Sequence, residues 1–265
     1  MLRKRIITAL WGIPLVIAAV WFDEPIPWFT ALAALFGLLA VLELYRMTGV
    51  TKALPLAVFG SIATVLFIAY PHCTYRYALP VLLTLTIALS LAMLVFIREK
   101  EGVFARWAWM AGGILYVGWL LGLLVTLRLG AGRDWVFLAL FATFGSDTAA
   151  YFTGKAIGRH KLAPQISPGK TWEGAIAGVI GGIVIGLLFT LDTPLQLPLT
   201  YWQAILLGAL ISVFGQVGDL AESLLKRNAG VKDSGGLMPG HGGLLDRMDS
   251  VVFAGAVVYI YTLIV

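Results

Sequence analysis

The sequence predicts an all-α, polytopic integral membrane protein with about nine transmembrane helices and a cytoplasmic N-terminus. Hydrophobic residues make up 60% of the 265 positions, and the mean hydropathy is +0.90. The apolar residues are grouped in runs of about 20, which is the length that crosses a bilayer as a helix. The basic residues, in turn, fall almost entirely on one side of these runs. Together these observations exclude an ordinary soluble domain.

The apolar runs predict helices rather than strands of a membrane barrel. They lack the strict apolar and polar alternation of barrel strands, and backbone groups in the bilayer core must be satisfied internally. The first run is predicted to be a retained helix, because Asp23, Glu24 and Pro25 follow it where a signal peptide would have a small-residue cleavage site. The predicted spans lie at about 6–22, 27–46, 53–70, 78–97, 107–127, 135–154, 173–191, 201–225 and 247–265.

The distribution of basic residues sets the predicted orientation. When the nine spans are threaded back and forth, all but three of the 19 Lys and Arg residues fall on the side of the N-terminus, the exceptions being Arg76, Arg128 and Arg133. Cytoplasmic loops carry such an excess of positive charge. We therefore expect an integral protein of a bacterial inner membrane with its active face toward the cytoplasm. For Arg98 and Lys100, topology and contact with anionic lipids are a sufficient explanation.

The chain is predicted to divide near residue 130. Residues 1–130 are expected to form transmembrane helices that pack together and contact lipid. Small-residue faces of these helices are expected to allow a homodimer. Residues 131–265 are expected to be the catalytic transmembrane region, with cytoplasmic loops at 155–172 and 226–246. The single cysteine, Cys73, excludes an intramolecular disulfide and a thiol metal cluster.

Acidic residues inside the apolar spans are the strongest functional signal. Asp147, Asp219 and Glu222 lie within predicted helices, where each charge costs on the order of 2.5–3.5 kcal/mol on insertion scales. Asp219 precedes Lys226 by two helical turns, which places it roughly 10 Å below the cytoplasmic helix end. The acids thus gather toward one leaflet, whereas a proton relay would distribute them through the membrane.

The spacing of these acids predicts a metal site. One helix face carries Asp219, either Glu222 or Ser223, and Lys226. A face of the last helix carries Asp246, Asp249 and Ser250. Carboxylate oxygens are the ligands that Mg²⁺ prefers, usually together with substrate phosphates. We therefore predict that Asp219 and Asp246 bind Mg²⁺, with Asp249 either as a further ligand or as a neighbour that supports the ligands, and with room for a second, monovalent cation.

Structural ion pairing is the alternative interpretation of the same residues. Asp219 with Lys226, and Asp246 with Arg247, are suitably spaced for such pairs. Glu43 and Glu222 are open to either interpretation, since each lies near a cytoplasmic helix end close to a basic residue.

Glycines and basic residues around these acids predict phosphate binding. Gly242 and Gly243 let the backbone approach an anion just before the last helix begins, and His241 is either a phosphate donor or an ordinary turn residue. The segment SPGKTWEG lacks the first glycine of a P-loop, because Pro164 occupies that position, and no strand is predicted before it. The candidate phosphate-binding residues are Ser167, Lys170, Lys226, Arg227, Lys232 and Arg247.

Two extended segments resemble the phosphatidate cytidylyltransferases, also called CDP-diacylglycerol synthases. The first contains SLLKR, KDS and LMPGHGGLLDRMD, and the second is DTAAYFTGKAIGRHKLAPQISPGKTWEG. The resemblance implies transfer of CMP from CTP to phosphatidate in phospholipid biosynthesis, with Mg²⁺ required. It implies catalytic roles for Asp219, Asp246, Asp249 and Lys226. It implies substrate binding by Asp147, Ser167, Lys170, Ser223, Arg227, Lys232, Asp233, His241, Gly242, Gly243 and Arg247.

Two other functions are kept as alternatives. A CTP-dependent polyprenol kinase would release CDP instead of pyrophosphate, and a cation-coupled membrane transporter would use the intramembrane acids without turning over CTP. The expected partners are CTP, phosphatidate and membrane lipids. No nucleic acid is expected as a partner.

Overall fold

A computed structural model describes residues 2–23, 25–97, 100–236 and 242–265, without the side chains of residues 2–9. Within this part of the chain the α-helices are α1 Leu2–Trp21, α2 Trp28–Met47, α3 Leu54–Ala69, α4 Ala78–Phe96, α5 Val103–Gly113, α6 Leu120–Gly130, α7 Arg133–Ile157, α8 Trp172–Leu188, α9 Tyr201–Asn228 and α10 Leu245–Ile264. Short 3₁₀ turns occur at Val50–Lys52 and Tyr70–His72, and a π-helical turn, Ile114–Trp119, joins α5 to α6. The strands are β1 Lys161–Ala163 and β2 Ser167–Thr171.

The prediction of an all-α polytopic membrane protein is confirmed. Among the described residues, seven helices are long and apolar enough to span a membrane, with α5 and α6 counting as one continuous helix, and α8 and Leu10–Trp21 are shorter apolar helices. Each predicted span coincides with one of these nine segments. In α4 only 11% of the most apolar 18-residue window is buried, as expected of a helix that faces lipid. The cytoplasmic position of the N-terminus stays a prediction.

The helices α8 and α9 begin with side-chain caps. Thr200 and Gln203 form a reciprocal capping box at the start of α9, and the Thr171 hydroxyl accepts a hydrogen bond from the Gly174 N–H at the start of α8. Such caps satisfy N–H groups that have no partner within the helix. Lys226 and Arg227 lie in the last turn of α9, where positive charge interacts favourably with the helix dipole.

The expectation that no strand precedes SPGKTWEG is wrong, because a small β-hairpin lies within the loop 155–172. The strands β1 and β2 pair antiparallel, with Lys161 opposite Thr171 and Ala163 opposite Ser167. Glu173 closes the base of the hairpin, where its carboxylate lies 2.7 Å from His160 Nδ1 and accepts the His160 backbone N–H. The hairpin leads directly into α8, so the position of Lys170 is fixed by β2 and the start of α8.

The chain forms two compact units. The first comprises residues 1–125 and 233–246, and the second comprises residues 126–232 and 247–265. The core of the first unit centres on Tyr45, which is fully buried and donates a hydrogen bond to the Met110 carbonyl at 3.1 Å. The assignment of separate roles to residues 1–130 and 131–265 stays a prediction.

In the second unit, α7, α8 and α9 pack closely through small residues. Gly182 on α8 and Gly208 on α9 approach so closely that a Cβ atom on either would overlap the backbone of the other helix. Small residues allow this close backbone approach between membrane helices. Beside them, the hydroxyls of Ser146 and Ser212 form a buried 2.6 Å hydrogen bond between α7 and α9. The close packing brings the polar faces of α7 and α9 together.

Candidate active site

Three aspartates from three helices of the second unit form an acidic cluster. Asp147 lies on α7, Asp219 on α9 and Asp249 on α10. Asp249 interacts electrostatically with both Asp219 and Asp147, and Asp147 also interacts with Asp219. Asp249 is only 8% exposed. The structure therefore brings together three of the acids that the sequence selected, within helices that are otherwise apolar.

A lysine from the hairpin neutralises part of this cluster. Lys170 Nζ lies 2.8 Å from Asp219 Oδ2. The other oxygen of Asp219 accepts a hydrogen bond from the Ser223 hydroxyl at 3.3 Å, one turn further along α9. Lys170 and Arg247 also interact electrostatically with Asp147. Acidic and basic side chains thus lie close together here. The bases suit phosphate groups and the acids suit a cation.

Lys226 forms an ion pair on the same helix. Its Nζ lies 2.5 Å from Oε2 of Glu222, which is completely buried, while Lys226 is 13% exposed. The Lys226 charge also acts on Asp249. This pair gives Glu222 a structural partner and leaves Lys226 at the edge of the acidic cluster.

The other predicted bases lie near the hairpin and the end of α9. Arg227 donates from Nε to the Ile166 carbonyl at 3.2 Å, so it tethers the hairpin to α9. Lys232 is exposed in the loop that follows α9, Arg247 is exposed in the first turn of α10, and Ser167 is half-buried at the start of β2. These positions agree with substrate contact for the exposed bases and with a structural role for Arg227.

In the first unit, Asp246 organises the segment that precedes α10. Its Oδ2 accepts the backbone N–H of Gly243 at 2.8 Å and that of Ser234 at 3.2 Å. Gly242 has a positive φ of 86°, which favours glycine, and Asp233 lies beside it. His241 lies outside the described residues.

The tertiary structure brings Glu43 and Ser234 together as functional candidates. The Glu43 carboxylate, on α2, accepts a hydrogen bond from the Ser234 hydroxyl at 3.2 Å. Glu43 was open to two interpretations in the sequence, and Ser234 was not selected although it belongs to the KDS segment. No periodic pattern could connect them, because 191 positions separate the two residues in the chain.

The acidic residues fit a hard divalent cation by their chemistry. Among the residues with described positions, no group of three or more His, Cys, Asp or Glu is placed to hold a metal ion. Mg²⁺, however, is commonly held by one or two carboxylates together with substrate phosphates and water. Asp219 Oδ2 already attracts a cationic group, the Lys170 ammonium. The donor set therefore fits a cation that a phosphate-bearing substrate helps to hold.

Fold and site together define a polytopic membrane protein with an acid-base cluster suited to phosphate chemistry. The chain matches the model of the Cytidylyltransferase family over residues 3–265. It therefore belongs to this family, whose members generally use a divalent metal.

Several curated proteins are similar to the chain. It is 34% identical to the phosphatidate cytidylyltransferase of Staphylococcus haemolyticus over 83% of this chain and 84% of the relative. It is 46% identical to the phosphatidate cytidylyltransferase of Bacillus subtilis over 48% of this chain and 47% of the relative. It is 41% identical to the uncharacterized protein YnbB of Escherichia coli, over 63% of this chain and 54% of that protein. The alignments with the last two span about half the length of each relative.

Proposed function

We propose that this chain transfers CMP from CTP to phosphatidate, giving CDP-diacylglycerol and pyrophosphate. The observation that carries the proposal is the cluster of Asp147, Asp219 and Asp249 with Lys170, inside helices that are otherwise apolar. Family membership and the names of the relatives support the same reaction. A cluster of this kind at the cytoplasmic ends of membrane helices suits one lipid and one water-soluble phosphate substrate.

The reaction needs positioning and charge neutralisation more than a strong base. An oxygen of the phosphatidate phosphate attacks the α-phosphorus of CTP, and the bond from that phosphorus to the β-phosphate oxygen breaks as pyrophosphate leaves. A phosphate monoester has a second pKa of about 6, so the attacking group is already anionic near neutral pH. The chain's main task is to bring two anionic substrates together.

The proposed roles follow the charges of the residues. Asp219, Asp246 and Asp249 would hold Mg²⁺, which when bound supplies positive charge to the phosphates, with a monovalent cation as a further candidate. Lys226 and the other bases would neutralise the substrate phosphates before and after transfer. The remaining proposed substrate contacts are Asp147, Ser167, Lys170, Ser223, Arg227, Lys232, Asp233, His241, Gly242, Gly243 and Arg247.

The proposed location follows from the distribution of charge. Because the basic loops flank the ends of α7 and α9 that carry the cluster, the active site is proposed to face the cytoplasm from a bacterial inner membrane. CTP would enter from the cytoplasm and phosphatidate from the lipid. A homodimer through small-residue helix faces is part of the same proposal.

The test is an assay of the purified protein with radiolabelled CTP and phosphatidate, with and without a chelator. We expect labelled CDP-diacylglycerol and an equal amount of pyrophosphate, with loss of both after chelation and recovery on adding Mg²⁺. Release of CDP with phosphorylation of a polyprenol would instead indicate a kinase. Cation flux in liposomes without CTP turnover would indicate a transporter.

A further inference from the structure

A carboxylate on α2 holds the segment that leads into α10. Glu43 is only 1% exposed. Its Oε2 accepts a hydrogen bond from the backbone N–H of Leu245 at 3.0 Å and another from the Ser234 hydroxyl at 3.2 Å. All three residues belong to the first unit. A side chain of the N-terminal helices therefore fixes both ends of a segment some 200 positions later in the chain, between Ser234 and Leu245.

The same segment is bound to the proposed metal ligand Asp246. The Ser234 backbone N–H donates to Asp246 Oδ2, while the Ser234 hydroxyl donates to Glu43. Gly243 donates its N–H to Asp246. Ser234 thus connects the two carboxylates directly, so a displacement of Glu43 would be transmitted to Asp246 through one residue.

Two glycines show how closely the segment packs on Glu43. A Cβ atom on Gly235 would overlap Glu43 Oε1, and one on Gly243 would overlap the Ser234 hydroxyl and approach Glu43 Oε2. Burial of a carboxylate is costly unless hydrogen bonds compensate it. Both hydrogen bonds to Glu43 Oε2 come from segment 233–246. Hydrogen bonds from Ser234 and Leu245 therefore offset part of the cost of burying Glu43.

We propose that Glu43 is a positioning residue for the proposed CMP transfer: its carboxylate holds Ser234 and Leu245, so that Asp246 and the start of α10 keep one geometry. This inference rests on the proposed function. It gives the N-terminal half of the chain an indirect part in the reaction, through Asp246, beyond packing and lipid contact.

The experiment compares Glu43→Ala and Glu43→Gln with the wild-type protein. The matched control is Tyr45→Phe, which removes a buried hydrogen bond from the same helix, where Tyr45 donates to Met110. Amide hydrogen exchange over residues 233–246 reports on the segment independently of activity, and kcat and KM for CTP report on the reaction. Exchange over α3 checks that each variant is folded.

For Glu43→Ala we expect faster exchange over 233–246 and a fall in kcat of roughly 10- to 100-fold, since small displacements of reacting groups cost this much. The KM for CTP should change less. Glu43→Gln keeps a side-chain oxygen that can accept the Leu245 N–H, so it should restore most of the exchange protection and of kcat. Tyr45→Phe should leave exchange over 233–246 and kcat as in the wild type.

Unchanged exchange over 233–246 in Glu43→Ala would overturn the inference, and so would faster exchange with an unchanged kcat. If Glu43→Ala does not fold, Ser234→Ala removes one of the two donors without altering α2 and should shift both readouts in the same direction. If Ser234→Ala then changed neither readout, the inference would also be overturned. Failure of the wild-type protein to turn over CTP with phosphatidate would reject the proposed function, whereas exchange would still measure whether Glu43 holds the segment.

Discussion

Lys170 and Asp219 form a 2.8 Å ion pair that joins the hairpin to α9. Neither residue is fully buried, since their side chains are 23% and 35% exposed. An intramembrane aspartate thus has its counter-charge on a polar loop. The Asp219 side chain is partly exposed, whereas the Lys170 Nζ atom itself is buried. When substrate binds, a phosphate could take the place of Asp219 as the partner of Lys170. A cation could likewise take the place of Lys170 as the partner of Asp219.

Replacement of Asp219 by asparagine should abolish most of the activity. Asp219→Asn keeps the shape of the side chain but removes the charge that attracts Lys170 and the proposed Mg²⁺. We expect kcat/KM to fall roughly 100-fold or more, the scale seen when a single electrostatic contact to the reacting groups is lost. The matched control is Asp192→Asn, in an exposed loop between α8 and α9, which should be neutral. Activity of Asp219→Asn within a few-fold of wild type would reject the metal assignment.

Removal of the Lys170 charge should weaken substrate binding and slow the reaction. Lys170→Met keeps the length of the side chain, so the change isolates the charge. We expect a higher KM for CTP and a lower kcat in steady-state assays, because the phosphates lose a counter-charge. Lys161→Met alters an exposed lysine on the other strand of the same hairpin and should have little effect. Equal effects of the two substitutions would show that Lys170 has no special role.

The ion pair between Lys226 and Glu222 predicts that the effect of Lys226 on stability can be separated from its effect on activity. Lys226→Leu removes a cation that is paired with the buried Glu222 carboxylate and should destabilise the protein by about 3–5 kcal/mol, as does breaking other buried pairs. The double substitution Glu222→Leu with Lys226→Leu should recover much of this loss, measured by thermal unfolding in detergent.

Activity of that double variant then decides what Lys226 does. If Lys226 neutralises substrate phosphates, the stable double variant should remain inactive. Full activity in the double variant would mean that Lys226 serves only to balance Glu222.

Two glycines of segment 233–246 should differ sharply in their tolerance of alanine. Gly243→Ala places a methyl group against the Ser234 hydroxyl and Glu43, so the segment must move and activity should fall roughly 100-fold. Gly236 is exposed, and a Cβ atom there meets nothing within 4 Å among the described residues. Gly236→Ala should therefore be nearly neutral. Similar activities for the two variants, measured at equal expression, would contradict the described packing of Gly243.

The sequence by itself determined the membrane fold and the family. Runs of about 20 apolar residues without strict alternation span a bilayer as helices, which satisfy their own backbone groups. Each predicted span coincides with a helical segment of the structure. Isolated charges such as Asp147 and Asp219 were conspicuous for the same reason, since a buried charge is costly and is retained for a purpose.

Only the tertiary structure decided which charged groups are partners. Helical spacing could suggest Glu222 with Lys226, because residues four apart share a helix face. It could not connect Lys170 to Asp219, because that contact depends on a hairpin whose strands carry no apolar alternation. It could not connect Glu43 to Ser234 either, since contacts between distant parts of the chain depend on how helices pack and leave no period in the sequence.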